Sequence, residues 1–140
     1  MFNVRVHFVG REEIRYKEIP LEQFGYTQLP NNIVYITIAD EDEEIRLVFV
    51  VRNRANLMEK NNTDVDHITI LGEGWRKEIR CENAEIYVVP MHVVMTMLKI
   101  SKETRTKEWK KILKRIRGYA NKRNIPRFEF CDYELRKIED

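Results

Sequence analysis

Residues 101–123, SKETRTKEWKKILKRIRGYANKR, decide how the rest of the chain is arranged. Their apolar members, Trp109, Ile112, Leu113, Ile116, Tyr119 and Ala120, recur at the i, i+3, i+4, i+7 spacing of one helical side. At about 100° per residue they fall within roughly 120° of arc. Lys107, Lys110, Lys111, Lys114, Arg117 and Lys122 fall opposite, with Arg115 at the edge. The segment therefore predicts a helix with a core on one side and a basic strip on the other. Ser101 is the expected N-cap, Glu103 stands near the positive end of the helix dipole, and Arg123 followed by Asn124 and Pro126 marks the stop. Gly118 falls on the basic side and weakens the last turns.

Working outward, the 140 residues suffice for one domain with a sizeable core. A content of 43% hydrophobic and 34% charged residues describes a folded chain rather than a disordered one. No run reaches the eighteen or so apolar residues of a membrane span, and MFNVRVHFVG alternates where a signal peptide is continuously apolar. A cytoplasmic protein with no membrane partner is expected. Cys81 and Cys131 are too few for a disulfide framework and lack metal-ligand spacing, so reduced, partly buried thiols are expected.

The net charge of +2 conceals an asymmetry. Residues 1–100 hold 12 Lys+Arg against 16 Asp+Glu, whereas residues 101–140 hold 13 against 7. From Trp109 to Phe128 there are eight basic residues and no acidic one, which sets this surface apart from an ordinary mixed-charge helix.

The first hundred residues read mostly as strands. Phe2, Val4, Val6 and Phe8 alternate with polar residues and place His7 on the opposite side. Glu13–Ile19 is a weaker strand, and residues 20–30 form a loop with room for one helical turn. NIVYITIA (32–39) and EIRLVFVVR (44–52) form a hairpin whose strands are apolar on both sides, as central strands are. Residues 53–60 suggest a short helix capped by Asn53. Residues 65–71, 75–82 and 84–89 predict a three-stranded antiparallel meander around the turn Gly72-Glu73-Gly74. Pro90 then opens a largely buried helix that ends near Ser101; a short strand over 127–131 and a helical tail follow. The expected fold is a single α+β domain, a mostly antiparallel sheet of about six or seven strands with the C-terminal helices on one face. Trp109, Ile112, Leu113 and Ile116 are expected to pack on Phe49, Ile36 and Ile86.

Two short stretches resemble known sites. His67-Ile68-Thr69-Ile70 resembles one half of the His-x-Thr/Ser pattern of two-histidine phosphoesterases, and that resemblance implies a phosphoester or small-ligand site around His67 and Thr69. A second half is missing, because valine follows two residues after both His7 and His92. Asp64 and Asp66 with Glu78-Ile79-Arg80 resemble the metal-binding hairpin of restriction-type nucleases, which implies carboxylates able to hold Mg²⁺. Arg80 stands where those enzymes place a lysine, and an arginine keeps its proton. His7, His67, His92, Cys81 and Cys131 show no ligand spacing, Met91, Met95 and Met97 read as core, and no glycine-rich phosphate loop is present. No catalytic residue, metal or cofactor is assigned.

The first functional expectation is a non-enzymatic binding or regulatory protein that contacts the phosphate backbone of a nucleic acid. Lys107, Lys110, Lys111, Lys114, Arg115, Arg117 and Lys122 would make the contact. Trp109 and Tyr119 belong to the apolar side, which disfavours single-strand stacking, and no base-reading motif is present. The alternative is an interaction module or inhibitor, of the kind mobile elements encode, that binds an acidic protein; a phosphoesterase ranks third. A homodimer is compatible with either. The strip also has an internal candidate partner in the acidic run Asp40–Glu44.

Overall fold

The computed structural model describes residues 1–25, 29–58 and 67–138. Its elements in chain order are β1 (Asn3–Gly10), β2 (Glu13–Pro20), a 3₁₀ turn (Leu21–Gln23), β3 (Ile33–Ala39), β4 (Ile45–Val51), β5 (Ala55–Leu57), β6 (His67–Gly72), β7 (Trp75–Arg80), β8 (Ala84–Val89), α1 (Met91–Glu103), α2 (Trp109–Lys122), β9 (Arg127–Cys131) and β10 (Glu134–Ile138). A seven-stranded sheet runs β10-β9-β8-β4-β3-β1-β2, and a separate three-stranded sheet runs β5-β6-β7. The fold is α+β and mostly antiparallel; among the described residues the one parallel pairing in the large sheet joins β4 to β8.

Strand β8 organises the three layers. The chain leaves β4, forms the small sheet, and returns as β8 beside β4; it then forms both helices and returns as β9 on the other side of β8. The two excursions cover opposite faces. Tyr87 and Val89 join Phe49, Ile36, Leu98, Ile112, Leu113 and Ile116 in the helix-side core, while Ile86 joins Val48, Val50, Ile68, Ile70 and Phe128 against the small sheet. Ile86 is therefore not a partner of α2 as expected, because its side chain points one residue out of phase with Tyr87.

Several elements differ from what local pattern predicts. The anticipated meander stops at β7, since β8 is apolar on both sides and is stabilised between two layers rather than at the small sheet's edge. The proposed helix over 53–60 is a turn followed by β5: Asn53 adopts φ 75°, and Ala55 and Leu57 pair with Gly72 and Ile70. Its residues 59 and 60 lie outside the described residues. Ser101 is no N-cap but the last buried position of α1, in series with Val94, Met97 and Leu98, and its hydroxyl donates to the Met97 carbonyl at 2.8 Å. The tail forms β10, paired with β9 across the turn Asp132-Tyr133, both in the left-handed region.

Helix α2 begins after Glu108, whose N–H donates to the Thr106 hydroxyl at 3.0 Å. Its end is set by Asn124 at φ 55°, with Ile125 N–H donating to Ala120 and Asn124 N–H to Asn121, the paired bonds of a Schellman motif. No helix among the described residues is long and apolar enough to cross a membrane.

Candidate nucleic-acid interface

Helix α2 presents its cations because its other side is anchored in the core. Ile112, Leu113, Ile116 and Ala120 are buried, and Lys107, Lys110, Lys111, Lys114, Arg115, Arg117 and Lys122 are exposed. Six of these seven lie within the helix itself, whose 14 residues span about 21 Å.

Both aromatic rings of α2 are engaged with cations. Arg46 of β4 lies 4.2 Å from the Trp109 ring centre, and Arg123 lies 3.8 Å from that of Tyr119. Arg46 also donates to the Asp40 carboxylate at 2.8 Å, which in turn accepts the N–H groups of Asp42 at 2.9 Å and Glu44 at 3.1 Å. Burial pushes the Asp40 carboxyl up, but the Arg46 bond and these N–H groups outweigh it and hold it below the usual carboxylate range. Asp40 is thus held by Arg46, while Glu41 pairs with the Met1 ammonium at 2.7 Å and is also acted on by Lys107 of the strip.

Glu85 is the acid that does reach the helix. It projects from β8 beneath α2, is 3% exposed, and accepts a short hydrogen bond from Arg117 Nε. Arg127 of β9 approaches the same oxygen at 3.6 Å and pairs with Glu129 at 3.1 Å. Burial raises the Glu85 carboxyl above its ordinary value despite both arginines, and the buried Tyr87 hydroxyl nearby is raised as well, chiefly by burial. Arg117 is therefore a strut between helix and sheet as well as a surface cation. Elsewhere on the strip, Lys111 pairs with Glu108 at 3.7 Å with both ends exposed, and Arg115 donates to Thr104 at 3.3 Å. Among the described residues, neither Lys114 nor Lys122 has a carboxylate within 4 Å.

The described residues of the two other sequence-derived sites lie mainly on the small sheet. His67 and Thr69 share one side of β6, opposite the inward Ile68 and Ile70, while His7 is on β1 and His92 on α1. Glu78 and Arg80 share the outer side of β7, and Glu78 is engaged with Arg76 at 3.2 Å; Asp64 and Asp66 lie outside the described residues. One group of three metal-donor types is gathered among the described residues, Glu82, Cys131 and Asp132, with ligand atoms within 4.8 Å of one another. Glu82 there accepts the Asp132 N–H at 2.8 Å, which fixes the β9–β10 turn.

The chain matches no family model, no curated protein and no solved structure. Glu85 is the component that sequence reading missed: within AEIYVV it is one polar residue in a buried strand, and that isolation was the available signal.

Proposed function

We propose that this protein binds the phosphodiester backbone of a duplex nucleic acid through the exposed side of α2, in a regulatory rather than catalytic capacity. The supporting observation is that Lys107, Lys110, Lys111, Lys114, Arg115 and Lys122 remain exposed together while the nearby acids Asp40 and Glu85 are committed to Arg46 and Arg117. A rigid row of cations neutralises phosphates and releases their counterions, giving affinity without base reading. Trp109 and Tyr119 are occupied by Arg46 and Arg123, so the helix offers no free ring for stacking single-stranded bases.

The test is a salt titration of binding to a mixed-sequence duplex. Lys110→Gln combined with Lys114→Gln is expected to weaken binding and to lower the magnitude of the log–log salt slope by about two. Wild-type protein that binds no duplex at low salt overturns the reading.

A further inference from the structure

On the face of the large sheet away from the helices, the small sheet leaves a cavity of about 400 Å³ bounded by β1, β2, β3, the start of β4 and the edge strand β7. Its floor is a block of four side chains fixed by register: Arg5 is opposite Thr37, and His7 is opposite Tyr35. The register of β3 against β1 shifts immediately after this block, where His7 pairs with Tyr35 but Phe8 with Ile33, so Val34 and Tyr35 both turn toward the small sheet. The His7 and Tyr35 rings stack with centres 3.9 Å apart and planes 14° apart.

Tyr35 is 2% exposed and Thr37 3%, and both hydroxyl-bearing side chains line the cavity together with His7. Burial, reinforced by Arg5 and Lys77, lowers the His7 pKa to about 3, so the ring is neutral at physiological pH and offers one donor and one acceptor. Arg5 and Lys77 are the cations that act on His7, and Arg80 also lines the cavity. On the rim, Glu18 pairs with Arg5 at 3.5 Å and Glu78 with Arg76 at 3.2 Å, and Glu43 also lines the cavity. Ile45 and Ile79 supply an apolar wall.

We propose that this cavity binds a small organic oxyanion, a carboxylate or phosphate monoester on a short apolar body, with its oxygens held by Arg5, Thr37, Tyr35 and His7 and its body against Ile45 and Ile79. The site lies on the opposite face of the large sheet from α2 and is independent of the nucleic-acid reading.

Three probes test it on the full chain by NMR: benzoate, phenyl phosphate, and benzyl alcohol as a neutral control. At millimolar concentration, one or both anions are expected to shift the His7, Tyr35 and Thr37 resonances saturably, and benzyl alcohol is expected to bind at least about tenfold more weakly. The tighter of the two anions identifies the oxyanion. Thr37→Val should weaken that anion by about three- to tenfold, the loss of one hydrogen bond. Arg5→Gln, at an exposed position, should weaken it comparably and covers the case in which the Thr37 variant fails to fold. The proposal is overturned if no probe shifts these resonances, if benzyl alcohol binds as well as the anions, or if Arg5→Gln leaves anion affinity unchanged.

Discussion

Arg117 on α2 and Glu85 on β8 join helix to sheet through an ion pair in which the acid is 3% exposed and the base 44%. Removing the arginine leaves a buried carboxylate with only Arg127 nearby. Arg117→Gln is expected to cost about 1–3 kcal/mol of unfolding free energy by urea titration. Because the folded Glu85 carboxyl is raised, the native state binds its proton more tightly than the unfolded chain does. Stability should therefore fall as pH rises from the ordinary glutamate range through the folded value, and Glu85→Gln should abolish that component. In Arg117→Gln the decline should extend to higher pH.

His7 titrates with the opposite sign. It is faced by Arg5 on its own strand, Tyr16 of β2, Tyr35 of β3 and Lys77 of β7, and its pKa is lowered to about 3. Its contribution to stability is complete above the unfolded value near 6.5 and is lost as pH falls toward 3. The slope is at most about 1.4 kcal/mol per pH unit. Denaturant midpoints measured between those limits should fall less steeply in His7→Gln than in the wild type.

Leu113 is buried on α2 among the helix-side core residues. Truncation to alanine removes packed methyl groups and leaves a cavity, for an expected loss of about 2–5 kcal/mol. An unchanged denaturation midpoint would refute the packing of α2 on the large sheet.

Two glycines should respond in opposite directions to alanine. At Gly72 an added Cβ would fall on the Trp75 indole, with whose residue Gly72 pairs directly across the hairpin. Gly72→Ala should displace that ring, altering tryptophan emission in a Trp109→Phe background, and cost about 1–3 kcal/mol. At Gly118 nothing lies within 4 Å of an added Cβ, so Gly118→Ala should raise stability by about 0.5–1 kcal/mol through helix propensity.

Period-based reading located what depends on neighbours in sequence. The β3–β4 hairpin, the β6–β7 hairpin around Gly72–Gly74, and the apolar stripe of α2 all follow from spacing that each segment carries within itself. The pairing of β8 with β4 rather than β7 was not legible, because an apolar strand specifies burial on two sides without naming its neighbour. Ser101 was misassigned for a related reason: a hydroxyl that bonds back to Met97 inside a helix has the same letter as one that caps the next helix. Of the two surfaces, the cations of α2 were legible from helical period. The block of Arg5, His7, Tyr35 and Thr37 depends on cross-strand register beside an irregularity in β3, which no single segment encodes.

The parallel seam between β4 and β8 also has a consequence for synthesis. Val48 and Ile86 are paired but 38 residues apart, whereas β1–β2, β3–β4 and β9–β10 are joined by tight turns. During translation the first four strands emerge with the edge of β4 unpaired, and with it Leu47, Phe49 and Val51 before either helix exists to cover them. The nascent chain thus exposes its most apolar edge until β8 leaves the ribosome, and that interval is when it is most open to aggregation and to capture by chaperones.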